Sequence, residues 1–302
     1  MYCVGVDIGG FYLKIGLIKD KTIIDKVSVR TKSAELINQV VETINGLLEK
    51  NNVSLKDLTH VGVGCPGLIK QGKVLSSVNL NLHNFNLQDQ LSNAMGLKVY
   101  LRNDVDMAGL AEHRLGAGGN CKNMILLALG TGVGGAIIID GKLYTGSHCA
   151  GELGHIPLFY NGKQCNCGQR GCLEQYVSCK ALSDMAKEKI NEYKNTTIPL
   201  REDLVYASDL IVEYEKGDNC AIDIVDTFVG YLTAGVLAYC NVFSPDKIVI
   251  GGGITYAPKI IEMVSRKCAE MGFGYPENKE IQIVCAKLGN DAGILGSTVV
   301  AD

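Results

Sequence analysis

Two stretches far apart in the chain share one pattern. "VGVDIGGFYLKIGLIKDKTII" lies near the start, and "MILLALGTGVGGAIIIDGKLYTG" begins at Met124. Both read as apolar strand, glycine-rich turn, apolar strand, polar turn and a further strand. Repetition of a whole strand pattern indicates an internal duplication of one structural unit. Strand and helix signals follow each copy. "AELINQVVETINGLLEKN" carries Leu36, Ile37, Val40, Val41, Ile44, Leu47 and Leu48 at helical spacing. "HVGVGCPGLI" reads as a buried strand ending in a loop. "NLQDQLSNAMG" reads as a short helix capped by Gly96, and "KVYLRNDV" as a strand running into a helix. In the second half, helices are expected from about Glu174 to Val242. "DKIVIGGGI" is then a strand entering a glycine turn and a helix, and "IQIVCAKLGNDAGILGSTVVA" a strand and a terminal helix. Alternating strands and helices make the chain α/β. The expected domains are 1–117, completed by a C-terminal helix at 289–302, and a larger one at 118–288.

Composition narrows the class of partner. The chain has 302 residues and a net charge of −3, which gives no nucleic-acid or membrane footprint. No apolar run of the roughly 18–20 residues needed to span a bilayer is evident. Met1 leads directly into "YCVGVDIGG" without a signal-peptide pattern, so a cytoplasmic protein is expected. In that compartment the twelve cysteines read as free thiols. Cys3, Cys240 and Cys285 lie in apolar segments and read as small buried hydrophobes.

One cluster differs. "GELGHIPLFYNGKQCNCGQRGCLEQ", residues 151–175, holds Cys165, Cys167 and Cys172 with His155 upstream. Three sulfurs and one nitrogen form a closed set suited to structural Zn²⁺ in segment 155–172. A disulfide would leave an odd thiol and suits the compartment poorly. A redox pair would want C-x-x-C at a helix start. An iron–sulfur cluster would need Cys179 as a fourth thiolate. Catalytic zinc would need an open position, and all four are filled.

The glycines carry a second signal. "GVGCPG" at 62–67 and "GTGVGG" at 130–135 match G-x-G-x-x-G, but strands follow them. A dinucleotide fold needs a helix there. The other use of such a turn is a hairpin whose backbone N–H groups approach phosphate oxygens. "DIGG", "LGTGVGG" and "GGG" at 251–253 are three such turns in two duplicated halves, which favours a nucleotide cleft between domains.

Together "VGVDIGG", "LGTGVGGAIIIDGKLYTGSHCAGELGH" and "CNCGQRGCLE" resemble the ROK family of sugar kinases and repressors, over nearly the whole chain. The resemblance implies two duplicated actin-like (ribonuclease H-like) α/β domains with a cleft between them. It implies ATP-dependent phosphorylation of a hexose, with glucose at the 6-hydroxyl as first choice. N-acetylmannosamine or fructose kinase activity, or a non-catalytic sugar-binding regulator, are alternatives. Asp104 would be the general base and Asn103 a sugar ligand; spacing alone equally allows Asp104 as a helix N-cap. Asp106 reads as a first-turn helix charge. Asp7 would contact Mg²⁺ and phosphate, with Gly9, Gly10 and Lys14 beside it. Thr131 and Gly132 would form the second phosphate loop, and Gly252 and Gly253 the adenosine loop. Gly64, Asn79, Glu152, His155 and Glu174 would contact sugar. His155 would ligate zinc with one ring nitrogen and face a hydroxyl with the other. His148 is close to this segment in sequence, whereas His60, His83 and His113 read as loop or surface residues. The family usually reads "DIGGT"; here Phe11 removes that hydroxyl. Family repressors place a helix-turn-helix domain ahead of the first strand, which here starts at Tyr2, so DNA binding is not expected. A homodimer is implied by the resemblance.

Overall fold

The computed structural model describes residues 1–147, 150–193, 195–271 and 281–301. The chain divides into two compact units. Met1–Gly119, Leu143–Gly151 and Asn290–Asp302 form the first; Asn120–Lys142 and Glu152–Gly289 form the second. The expected second domain ran unbroken from 118 to 288, whereas Leu143–Gly151 groups with the first unit.

The first unit is built on strands β1 (Tyr2–Ile8), β2 (Tyr12–Lys19), β3 (Thr22–Arg30), β4 (Leu58–Cys65) and β8 (Val99–Asn103), in the order β3-β2-β1-β4-β8. β1, β2 and β3 are antiparallel neighbours, while β1-β4 and β4-β8 are parallel. β1 and β4 are covered on both faces, and their sequences are accordingly continuous apolar runs. β3 alternates exposed and half-buried residues along its length, as suits an edge strand covered on one face. A small sheet of β5 (Leu68–Lys70), β6 (Lys73–Ser77) and β7 (Leu82–Phe85) follows the loop after β4.

One core joins this sheet to α1 (Leu36–Lys50) and α2 (Leu87–Met95). Val40, Ile44, Leu47 and Leu48 of α1 meet Val4, Val6, Leu13 and Ile15, each nearly or fully buried. Each such side chain contributes about 1.5–3 kcal/mol by leaving water. Gly96 closes α2 in the left-handed conformation at φ 62°.

Past α3 (Asp104–Leu115), the sheet's other cover comes from the end of the chain. Ile294 and Ser297 press so closely on Gly5, Gly16 and Gly62 that a methyl group at any of them would collide. His60 shares a 2.6 Å hydrogen bond with the Ser297 carbonyl. The terminal helix is much shorter than the expected 289–302. α9 spans only Ala292–Leu295, between 3₁₀ turns at Gly289–Asp291 and Gly296–Thr298. Gly296 lies against the Met107 carbonyl, a fit that serves close packing more than helix length.

The second unit repeats the plan. β9 (Met124–Leu129), β10 (Val133–Ile139), β11 (Lys142–Leu143), β12 (Lys247–Gly252) and β13 (Gln282–Cys285) take the order β11-β10-β9-β12-β13. β9 and β10 are antiparallel; β9-β12 and β12-β13 are parallel. The order matches the first sheet strand for strand, which is the duplication expected from sequence. The third strand differs, since β11 has two residues where β3 has nine. α4 (Glu174–Val177), α5 (Cys179–Glu192), α6 (Ala207–Glu215), α7 (Asn219–Phe243) and α8 (Pro258–Glu270) complete the unit. α7 is long and apolar enough to cross a membrane by length and composition, a length the sequence reading did not register. It packs against α4, α5, α6 and α8, and buries Ile224, Phe228, Leu232 and Val236 there.

Candidate active site

Parallel strands that end together place their terminal residues side by side. In the first sheet Asp7 is the register partner of Gly64, and Cys65 that of Asn103. Asp7, Gly64, Asn103 and Asp104 are thereby gathered at the carboxyl ends of β1, β4 and β8. A side chain at Gly64 would press on the Asp104 Cα at 3.3 Å. Glycine there lets α3 begin close to the sheet.

Asn103 is the N-cap of α3. Its Oδ1 accepts from the N–H groups of Val105 (2.8 Å) and Asp106 (3.3 Å), and its Nδ2 donates to the Gly67 carbonyl (3.1 Å). The cap role open to Asp104 therefore belongs to its neighbour. Asp104 is the first helical residue, where the helix dipole favours its charge. It stands near the Cys65 thiol, which burial and then the Asp104 charge push up to about 12. Asp106 lies in the first turn as expected.

Asp7 is largely buried. Burial pushes its carboxyl above the ordinary range, against the pull of Lys14, whose Nζ lies 3.4 Å from Oδ2. The turn after it is held from a distance. Gly9 N–H donates to the Tyr12 carbonyl at 2.8 Å. Thr31, beyond β3, donates its hydroxyl to the Gly9 carbonyl at 2.7 Å and its N–H to the Phe11 carbonyl at 3.0 Å. Nothing local in the sequence marked Thr31. Phe11 itself is 84% exposed. Asn79 lies beside this turn, since a Cβ at Gly10 would sit 3.2 Å from the Asn79 Cβ.

In the second unit the corresponding turn, with Thr131 and Gly132, follows β9. Gly252 is the register partner of Leu129, so the third glycine turn lies beside it. Gly252 has φ 83° and abuts the Leu129 carbonyl, which only glycine permits comfortably. Gly253 follows at the start of a 3₁₀ turn, Gly253–Tyr256.

The cysteine segment folds on itself. Gly171 N–H donates to Lys163 O at 2.8 Å, Leu173 N–H to Ile156 O at 2.9 Å, and Cys165 N–H to Gln169 O at 2.9 Å. The donor atoms of His155, Cys165, Cys167 and Cys172 lie within 4.8 Å of one another. His155 Nδ1 is 3.6 Å from Cys165 Sγ, and the sulfurs of Cys167 and Cys172 are 3.6 Å apart. A tetrahedral zinc with bonds of about 2.0–2.3 Å sets its donors roughly 3.5–3.8 Å apart, so the set fits that ion. The Cys167 thiol is held below its ordinary range: burial opposes this, and the Gln169 backbone with the neighbouring sulfurs outweighs it. Cys179 stands outside the cluster, its Sγ directed at the Leu129 carbonyl at 3.3 Å, so the four-thiolate alternative falls. Cys3 and Cys240 are buried as expected, but Cys285 is half-buried.

His155 Nε2 points away from the sulfurs and lies 3.8 Å from Glu152 Oε2. Glu174 is placed differently. Its Oε2 accepts from Val133 N–H at 2.9 Å, a contact that sequence spacing did not suggest. Of the other histidines, His113 is buried in α3 and His60 lies in β4, so neither is a loop residue; His83 is exposed. His148 lies outside the described residues.

The profile of the ROK family matches residues 3–302. The chain belongs to the ROK family. A glucokinase from Halalkalibacterium halodurans is 33% identical over 308 residues, covering 97% of this chain and 92% of that protein. A xylose repressor from Bacillus subtilis is 28% identical over 317 residues, covering 100% of this chain and 77% of the repressor. Among solved structures, a ROK family glucokinase from Streptomyces griseus, in complex with glucose and AMPPNP, is 29% identical; 98% of each chain is covered, with a TM-score of 0.83. The duplicated five-stranded units of this ROK chain have the actin-like ATPase fold.

Proposed function

We propose that this chain is an ATP-dependent hexose kinase that phosphorylates the 6-hydroxyl of glucose, with Asp104 as general base. One observation carries the reading. Asn103 is the N-cap of α3, and the carboxylate next to it, whose Oδ1 accepts from Val105 N–H at 3.0 Å, stands at a strand end beside Asp7 and Gly64. In the proposed reaction Asp104 accepts the hydroxyl proton. The oxygen then bonds to the γ-phosphorus, the bond to the β–γ bridging oxygen breaks, and ADP leaves. Mg²⁺, when bound with ATP, neutralises developing phosphate charge. Asp7 would hold it, with Lys14 tempering the carboxylate. Gly9 and Gly10 would meet phosphate with backbone N–H groups, as would Thr131 and Gly132. Gly252 and Gly253 would lie against adenosine. Gly64, Asn79, Asn103, Glu152, His155 and Glu174 would bind sugar hydroxyls. Carboxylates accepting from hydroxyls give directional contacts.

The four-donor set supports structural Zn²⁺. It would fix the His155 ring so that Nε2 faces outward. Metal analysis of purified protein is expected to give about one zinc per chain; a value far below that ends the zinc reading. The free thiols among the described residues support a cytoplasmic setting. Family likeness supports a homodimer.

ADP release from ATP and Mg²⁺ across a hexose panel tests the activity. Turnover is expected on glucose first, with N-acetylmannosamine and fructose as competitors for that place; silence on every sugar overturns the kinase reading. Asp104→Asn is expected to lower kcat about 10²- to 10⁴-fold while glucose binding by calorimetry persists. Phe11 favours a second reading, a sugar-binding regulator, because a hydroxyl common in the family is replaced by an exposed ring. Sugar affinity without any ATP affinity would decide for it.

A further inference from the structure

One carboxylate touches both the cysteine segment and a glycine turn. Glu174 Oε2 accepts from Val133 N–H at 2.9 Å. A Cβ on Gly132 would collide with the same oxygen, so a larger residue there would push the Glu174 carboxylate off its bond to Val133. The other oxygen, Oε1, lies 3.9 Å from Cys165 Sγ and 3.4 Å from Gln175 Nε2. Gln175 Nε2 in turn reaches Cys165 Sγ at 3.5 Å.

Two further contacts fasten the same turn to the same segment. Gly154, next to His155, packs against the Val133 carbonyl without room for a side chain. Cys179 N–H donates to the Gly130 carbonyl at 2.8 Å. The turn is thus held at both ends by residues that flank or belong to the four-donor cluster. A glycine-rich turn has many conformations to lose, and a turn that receives phosphate binds better when its N–H groups are already aimed.

We propose that Glu174 is a positioning residue that fixes the turn at 130–133 for the polyphosphate of a nucleotide, coupling the cysteine segment to nucleotide affinity. This rests on the reading above that the turn binds phosphate. Glu174 keeps lone pairs for a sugar hydroxyl, so the two tasks are compatible.

The test is ADP binding by calorimetry to the full chain, without sugar, with zinc content measured for each variant. Glu174→Ala is expected to weaken ADP about tenfold, the scale of one lost hydrogen bond to a charged acceptor. Glu174→Gln keeps an oxygen that can accept from Val133 N–H and is expected to stay within about threefold of wild type. Hydrogen exchange at the Val133 amide should quicken in the first variant and not in the second. Wild-type ADP affinity in both variants means that Glu174 serves sugar alone, and overturns the proposal. Should Glu174→Ala fail to fold, Glu174→Asp, which withdraws the carboxylate by one methylene, carries the same direction of change. Thr131→Asp tests the underlying reading separately: it places a negative charge on the turn and should abolish ADP binding. If it does not, the turn is not a phosphate site; if it does while Glu174→Ala binds normally, only the positioning role fails.

Discussion

The two glycine hairpins share a sheet order and differ in what steadies them. In the first, β3 runs nine residues along β2 and delivers Thr31 to the turn, where it bonds the Gly9 and Phe11 carbonyls. In the second, the matching strand is only Lys142–Leu143, too short to return to its turn. Support comes instead from Glu174, Gly154 and Cys179, contributed by the cysteine segment and the helix after it. One hairpin is braced by its own sheet, the other by the segment that carries His155, Cys165, Cys167 and Cys172. Two units with one sheet order can therefore hold matching turns by different elements.

Substitutions should separate the two braces. The largest effect is expected for Cys172→Ser, which removes a buried ligand and leaves three donors. Zinc content should fall well below about one per chain, and the Val133 amide should exchange faster while the Gly9 turn is unchanged. Equal loosening of both turns would mean that the braces are not independent. A smaller effect is expected for Thr31→Val, which keeps the shape and loses one hydrogen bond, about 0.5–1.5 kcal/mol by urea unfolding. Thr31→Ser should restore it.

The smallest effect concerns Asp7. Burial raises its pKa and Lys14 opposes the rise. An acid raised on folding stabilises most below its unfolded pKa, and that contribution is lost as pH climbs through the folded value. Lys14→Met removes the opposing charge and moves the folded value higher. The variant should therefore match wild type at acid pH and fall behind as pH rises toward neutrality. Melting temperatures across that range check the sign; a deficit that grows toward acid contradicts it.

The contrast also explains what the sequence made legible. Strand–turn–strand patterns and α1 are local and strongly periodic, so both hairpins and the helix could be read directly. The His155–Cys172 set was legible because thiolate spacing in a short segment has few uses. Thr31 and Glu174 were not read as braces because their partners lie 22 and 41 positions away, and no periodicity reports such contacts. Spacing alone leaves Asp104 equally a general base or a helix N-cap, since Asp commonly caps helices. In the structure Asn103 holds the N-cap position, accepting from Val105 and Asp106, while Asp104 Oδ1 also accepts from Val105 N–H. The short α9 was missed because "AGILGSTVV" is apolar enough for a helix. Its glycines answer instead to close backbone packing, at Gly293 against Asp7 and Gly296 against Met107.

That last segment has a consequence for synthesis. Gly5, Gly16 and Gly62 leave the ribosome more than 200 residues before Ile294 and Ser297, which cover them. A nascent chain stopped anywhere before Asn290 has an open face on its first sheet. The N-terminal unit can close that face only once Ile294 and Ser297 have been made.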